Sequence, residues 1–315
     1  MLAILKRPQL NKGSHAGVML TDRGAAIALV RRRAGEKPIV EHCALHRCER
    51  DESVEQLLQR TLPKLGLARA HTSVVASSED YQLVQVEAPE VQPAEMRAAI
   101  RWRLRDVIGF HIDDAVVDVF QIPDQSRRAQ NKMLFAVAAR SAAVQRLVST
   151  IAPIARGFDV IDIPELCLRN ISALLPQDQK GVATLLLGEQ AAQLILTRQG
   201  ILYQARRIEY RRGLAVDTDD LSEGPQLDAA SLALELQRSL DYYESHFDQT
   251  PIADLIIAPA GERAGDLAEH LRAESGVRIA LLDLSTVVNG VDGMELPTEC
   301  LLALGAALRV EQAVL

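Results

Sequence analysis

The sequence predicts a two-lobed α/β fold with mixed sheets, built by duplication, and three observations carry that prediction. First, a hairpin is written twice: residues 18–30 read VMLTDRGAAIALV and residues 184–196 read TLLLGEQAAQLIL. Each runs from apolar residues into a short polar turn, Asp22-Arg23-Gly24 or Gly188-Glu189-Gln190, then through two alanines into a second apolar run. That is the outline of a β-hairpin. Second, each copy passes another turn, Ala34-Gly35 or Gln199-Gly200, into a third strand-like run, 38–45 or 201–208. Third, the order βββαβα recurs about half a chain later, which is the mark of an internal repeat. A chain of 315 residues is long enough for two such units.

Composition narrows the function classes. Hydrophobic residues make up 48% and charged residues 24%, as in ordinary globular chains. A net charge of -7 and an aromatic content of 3% argue against a nucleic-acid surface, which needs basic stripes and stacking platforms. Four cysteines, Cys43, Cys48, Cys167 and Cys300, follow no disulfide pattern and suit a reducing cytosol. No apolar run reaches the roughly 18 residues of a membrane span. The opening MLAILKRPQLNK lacks the apolar core of a signal peptide. The expectation is a cytoplasmic protein that does not insert into the membrane and is held there, if at all, by a partner.

Taken in order, the first three strands lead to Asp51-Glu52-Ser53, where Ser53 and Gln56 fit a capping box. Val54, Leu57, Leu58, Leu62 and Leu65 then repeat at helical spacing. Strands over 72–76 and 81–87 complete a compact first lobe. The tract Pro89 to Pro93 punctuates the chain, and Pro93 suits a first helical position. The helix that follows puts Met96, Ala99, Ile100, Leu104, Val107 and Ile108 on one face. Strand 115–122, a polar loop 123–132, strand 133–139, helix 141–155 and strand 158–163 follow, as a small α/β insert within the first lobe. A helix over 165–175 precedes the joint at 176–180.

The second lobe repeats the meander over 182–209, then a loop at 213–225 and the longest helix, 227–247. That helix carries the stripe Leu232, Leu236, Leu240, Tyr243 and Phe247. Strand 254–258, helix 262–273, strand 277–281 and a final helix, 297–311, close the unit. The predicted lobes are 1–175, with the insert at about 90–163, and 176–315.

Several stretches resemble one family. The helix LALELQRSLDYYESHF (232–247), the segment ADLIIAPAG (253–261) and the terminal ECLLALGAALR (299–309) are similar to the PilM family of type IV pilus assembly proteins. The segment YQLVQVEAPEVQPAEMRAAIRWRLRDVIGFHIDDAVVDVFQIP (81–123) resembles more specifically the MSHA-pilus branch of that family, MshI. The resemblance spans nearly the whole chain. It implies an actin-like, ribonuclease H-like duplicated fold whose first lobe carries a 1C-type α/β subdomain.

The resemblance also says where nucleotide would bind. In actin-like ATPases two Gly-, Ser- and Asp-rich hairpin turns offer backbone N–H groups to the phosphates, an aspartate holds the metal, and a Gly-Gly turn takes the adenosine. Here Met19 and Thr21 occupy the first aspartate and glycine positions, while Asp22 and Gly24 remain nearby. In the second turn Gly188 survives, Leu186 or Leu187 replaces the aspartate, and Glu189 adds a like charge. The adenosine turn reads Ala258-Pro259-Ala260-Gly261, with Gly261 alone surviving and a proline that removes an N–H donor. Without metal ligands the counter-charge for phosphoryl transfer is missing. The expectation is a pseudo-ATPase with no catalytic residues and no cofactor. ATP with magnesium is only a weak alternative, at Asp22, Gly24, Gly188 and Gly261.

Other clusters carry two readings each. His42, Cys43, His46 and Cys48 have zinc-ligand chemistry, but a strand puts 42, 46 and 48 on one face and 43 on the other. The ordinary reading is a strand with polar and small residues, so no metal is expected. Trp102 lies about 200° around its helix from Ile100, off the apolar stripe. It is either a binding hot spot or packing against the host lobe. In the resembled family a short cytoplasmic tail of a single-span inner-membrane protein (PilN, or MshJ in the MSHA system) docks between lobe one and its insert. Arg101, Trp102, Arg105 and Phe110 are the candidates for that groove. The arginine groups 31–33, 206–207 and 211–212 either meet anionic lipid headgroups or an acidic partner or, the ordinary reading in an acidic chain, form a solvated face. His111, Asp113, Asp114 and Asp118 read as cap and surface residues.

The function these features suggest is a scaffold of type IV (MSHA-type) pilus biogenesis at the inner face of the inner membrane, with the pilus assembly ATPase as a further candidate partner. The alternatives are a working actin-like ATPase and the cytoplasmic module of a type II secretion L-like protein.

Overall fold

The computed structural model describes residues 13–33, 35–67, 70–122, 132–155, 157–189, 191–209, 229–247, 249–259 and 261–310. Residues 123–131 of the loop expected at 123–132, the loop expected at 213–225, Arg211 and Arg212, Gln190 and Ala260 lie outside the described residues.

The first lobe is a five-stranded sheet in the order β3-β2-β1-β4-β8. Its first three strands, β1 (Ser14–Thr21), β2 (Gly24–Arg31) and β3 (Ile39–Arg47), form the antiparallel meander expected from the hairpin pattern. β4 (His71–Val75) runs parallel to β1, and β8 (Phe158–Asp162) parallel to β4. Nearly all of β2 is buried: Ala26, Ala28 and Val30 enter one core, Ala25, Ile27 and Leu29 another. A continuous apolar run of this kind belongs to a sheet covered on both faces. Helix α1 (Val54–Thr61) starts on the expected capping box, in which the Gln56 N–H donates to Ser53 Oγ at 3.3 Å and the Ser53 N–H to Gln56 Oε1 at 2.9 Å.

The second lobe repeats the plan. Its sheet, β11-β10-β9-β12-β13, matches the first strand for strand, which bears out the duplication. The strands are β9 (Val182–Leu187), β10 (Ala191–Arg198), β11 (Ile201–Glu209), β12 (Asp254–Ala258) and β13 (Arg278–Leu281). Helices α5 (Ala229–His246) and α6 (Glu262–Glu274) belong to this lobe, and every residue of the predicted α5 stripe is buried.

Two strands sit elsewhere than the sequence suggests. β5 (Tyr81–Glu87), read as the last strand of the first lobe, pairs with β7 (Met133–Arg140) in the insert. β8, read as the last strand of the insert, belongs to the lobe-one sheet. The proline-rich punctuation falls within the insert, between β5 and α2 (Met96–Leu104), so it marks a turn and not a boundary. Parallel pairing of β4 with β8 needs a long crossover, and the insert plus α3 (Ser141–Ile151) is that crossover. The insert is therefore a three-stranded antiparallel sheet, β5-β7-β6, with β6 at Ala115–Gln121. Met96, Ile100, Leu104 and Ile108 pack on Leu134, Ala136 and Ala138 of its outer face. Val107, expected on that stripe, is 54% exposed, because α2 ends at Leu104 and the following turn rotates it out.

A third departure concerns the last helix. α7 (Thr298–Ala307) follows the second lobe in sequence but lies across β1, β2 and β4 of the first. In return α4 (Pro164–Ser172) reaches β9, β10 and β11 of the second. Every residue of α7 from Cys300 to Ala307 is buried, so no amphipathic stripe tells which sheet it serves. The two helices cross at glycine: a Cβ on Gly305 would stand 2.2 Å from the Cys167 carbonyl oxygen of α4. A Cβ on Gly17 of β1 would stand 1.8 Å from the Ala303 carbonyl oxygen.

The inner face of the insert sheet is shared. Tyr81, Val137 and Ala139 meet Leu147 and Ile151 of α3, whereas Phe135 and Ile122 join the core of the second lobe. Gln85 bridges to that lobe: its Nε2 donates to the Tyr203 carbonyl at 3.0 Å, and Tyr242 Oη donates to its Oε1 at 3.2 Å.

Candidate functional site

The parallel strands β1, β4 and β8 end on the same side of the first sheet, and β9, β12 and β13 end together in the second. The carboxyl ends of parallel strands are where α/β sheets bind ligands. Both hairpin turns and the 258–261 turn stand there.

The first turn is tight, with Thr21 paired to Gly24 and Asp22 and Arg23 exposed at its tip. Gly24 is required for packing: a Cβ there would lie 2.1 Å from the His46 carbonyl oxygen of the adjacent strand. Met19 and Thr21, at the places where the ATPase motif has its aspartate and glycine, are strand residues. In the second turn Leu186 and Leu187 are buried and Glu189 is exposed. Gly188 is again a packing glycine, since a Cβ would approach the Ala191 carbonyl oxygen to 2.7 Å. Arg263, on the first turn of α6, donates to the Gly188 carbonyl at 3.1 Å and brings a positive charge beside Glu189. Sequence spacing gave no sign of that contact, because the two residues lie 75 positions apart.

Gly261 precedes α6, and nothing within 4 Å would obstruct a Cβ. Beside it is a cavity of about 480 Å³ lined by Pro259, Gly261 and the 281–296 segment. Its charged lining is Asp283, Asp292 and Glu295. An all-acidic rim repels phosphate.

The carboxylates at the end of β8 are engaged internally. Asp162 accepts from Arg309 Nη1 at 2.8 Å and from the Ile163 N–H at 3.0 Å. Glu165 accepts from Tyr81 Oη at 2.5 Å, and both residues are buried. Burial pushes the Glu165 carboxyl above the usual carboxylate range, and the Tyr81 hydrogen bond and the charge of Arg207 offset only part of that. A carboxyl raised in the folded state adds stability below its unfolded pKa and loses that contribution as pH rises through the folded value. Glu165→Gln keeps an acceptor for Tyr81 and removes the titration. Thermal melting of both proteins from pH 4 to 8 should show the variant gaining on the parent as pH rises; parallel curves would exclude this account.

The insert presents the second candidate surface. Trp102 is 72% exposed, so the reading in which it packs on the host lobe is overturned. Arg105 lies over its ring, 5.9 Å from the centroid. Arg101 turns inward, donating to the Ala115 carbonyl at 2.9 Å and to Asp113 at 3.4 Å. Arg97 pairs with Asp118 and Arg103 with the Glu87 carbonyl. Phe110 is half-buried beneath Arg140, whose guanidinium carbon is 4.5 Å from its centroid. The structure thus puts Trp102 and Arg105 on the outer face and Arg101 and Phe110 in the supporting layer. Of the other clusters, His111 caps the turn before β6 through Asp113, as its reading as a cap suggests. Arg31 and Arg206 form ion pairs, with Glu41 and Glu235, and Arg207 crosses from the second lobe to Ser78 of the first.

Two matched sheets, helices exchanged between them and an inserted subdomain make a two-lobed α/β structure with an actin-like fold. Among solved structures, the chain is similar to that of a PilM-PilN type IV pilus biogenesis complex, with 17% identity, 93% of this chain and 97% of that one covered, and a TM-score of 0.66. It is also similar to the cytoplasmic domain of EpsL, an inner membrane component of the type II secretion system of Vibrio cholerae, with 13% identity, 95% and 97% covered and a TM-score of 0.51. At such identities the likeness establishes the fold. No protein-family model and no curated protein matches the sequence. Among the described residues no helix is long and apolar enough to cross a membrane.

Proposed function

We propose that the protein is a scaffold of type IV pilus biogenesis, of the MSHA type, that acts by binding and not by ATP turnover. It would work at the cytoplasmic face of the inner membrane. The insert would dock the N-terminal cytoplasmic tail of a PilN- or MshJ-like bitopic membrane protein, and the assembly ATPase is a further candidate partner. The observation that supports this reading most is the extent of the likeness to the PilM-PilN complex, which runs through 93% of this chain and 97% of that one. The state of the cleft points the same way. Gly24 and Gly188 serve strand packing, the cavity rim is acidic, and Asp162 and Glu165 are bonded internally.

Two features favour the ATPase alternative. The cavity beside Gly261 persists, and Arg263 supplies a cation at the second turn. Titration with labelled ATP and magnesium separates the two readings. The scaffold reading expects no saturable binding at micromolar nucleotide and no phosphate release, whereas micromolar affinity with turnover would refute it. A pull-down with the tail of the bitopic protein tests the partner independently.

A further inference from the structure

We propose that the occupant of the acidic cavity beside Gly261 is this chain's own segment Leu2 to Arg7, with its apolar side chains on the cavity floor and Lys6 and Arg7 at the rim. The inference goes beyond the scaffold reading and does not depend on where a partner's tail docks. The floor is apolar: Leu282, Val291, Leu296 and Leu301 are buried there, and Met294 on the same lining is 52% exposed. The charged lining is Asp283, Asp292 and Glu295, and none of the three has an ion-pair partner among the described residues. Asp283 accepts from the Ser285 N–H at 3.0 Å and the Ser285 hydroxyl at 2.6 Å, both on Oδ1, which leaves Oδ2 open. An apolar floor under three carboxylates suits an apolar ligand that carries cations and rejects an anion. Residues 1–12 have that chemistry: Leu2, Ala3, Ile4 and Leu5 run together into Lys6 and Arg7, and the stretch contains no Asp or Glu.

The fold brings this segment to the cavity. Ser14 of β1 faces Arg31 of β2, Arg31 faces Ile39 of β3, and Ile39 bridges to Asn289, two positions before the lining residue Val291. Backbone bonds hold the end of that row, with the Val40 N–H on the Asn289 carbonyl and the Asn289 N–H on the Pro38 carbonyl, each at 2.8 Å. Three neighbouring-strand spacings put Asn289 about 14 Å from Ser14. The chain from Ser14 back to Arg7 spans up to about 23 Å when extended, so Arg7 reaches the cavity wall and Leu2 to Lys6 lie beyond it.

Carbodiimide treatment of the full chain at micromolar dilution should join Lys6 to Asp283, Asp292 or Glu295 within one molecule. In hydrogen exchange, Ile4→Asp with Leu5→Asp should speed the amides of 289–296 at least threefold, and Lys6→Glu with Arg7→Glu should do the same. Adding Asp292→Lys and Glu295→Lys to the second pair should restore protection. The melting temperature of the two segment variants should stay at that of the parent, which separates release of the segment from unfolding. Lys6 links spread over surface carboxylates at large, links formed only between two chains, or exchange of 281–296 unaltered by either pair would overturn the assignment. So would magnesium-ATP that protects 281–296 at the same concentration in the parent and in the Ile4→Asp, Leu5→Asp variant, because nucleotide would then be the occupant.

Discussion

Gly305→Ala is expected to cost about 3 kcal/mol or more, at or beyond the upper end of ordinary overpacking. The new Cβ would meet three backbone atoms of Cys167, at 2.2, 2.6 and 3.0 Å. No side chain can swing away there, so either α7 or α4 must shift as a body. Those helices are the exchange between the lobes, and the strain would spread to both cores. For a chain of this size the loss corresponds to a fall in melting temperature of about 4–5 °C or more. Gly17→Ala repeats the test on the other side of α7, where the new methyl carbon would sit 1.8 Å from the Ala303 carbonyl oxygen. Melting within about 2 °C of the parent for both variants, against the fall expected for overpacking, would mean that the helix is not wedged as described.

The second large effect is functional. Trp102→Ala should weaken binding of the bitopic protein's tail peptide by about thirtyfold or more, the range of an interface hot spot. The indole is 72% exposed, so its removal should leave the melting temperature unchanged and isolate the loss to binding. Arg105→Ala, which takes the guanidinium from above the ring, should give a smaller loss. Arg101→Ala should lower stability as well as affinity, because Arg101 ties α2 to the start of β6 through the Ala115 carbonyl. Tail affinity that survives the loss of Trp102 would move the docking surface off this face of the insert.

Local signals in the sequence translated well into structure. Ser53 and Gln56 cap α1 reciprocally, Leu232 to Phe247 bury one stripe, and the two meanders take equivalent places in two equivalent sheets. Each of these rests on spacing of a few residues. What spacing could not convey was which sheet a segment joins. β5 and β8 both look like short half-buried strands, and only long-range pairing distinguishes them. α7 is apolar all round and fits either lobe equally well by pattern. The same limit applies at the candidate site. The loss of aspartates from the turns is visible in the sequence, but Tyr81 on Glu165, Arg309 on Asp162 and Arg263 on Gly188 join residues 75 to 147 positions apart. Gly24 and Gly188 look like remnants of a phosphate turn, and carbonyl oxygens of neighbouring backbone give each a second reason to lack a side chain.

The shared inner face of the insert sheet has a mechanical consequence. One half of it is welded to α3 of the first lobe and the other half to the second lobe, with Gln85 as a polar rivet to Tyr203 and Tyr242. The subdomain is thus a strut spanning two bodies, not an appendage on one. If the lobes pivot about the α4–α7 crossing, the strut has to tilt, and α2 on its back tilts with it. Trp102, carried on α2, would then shift with the angle between the lobes.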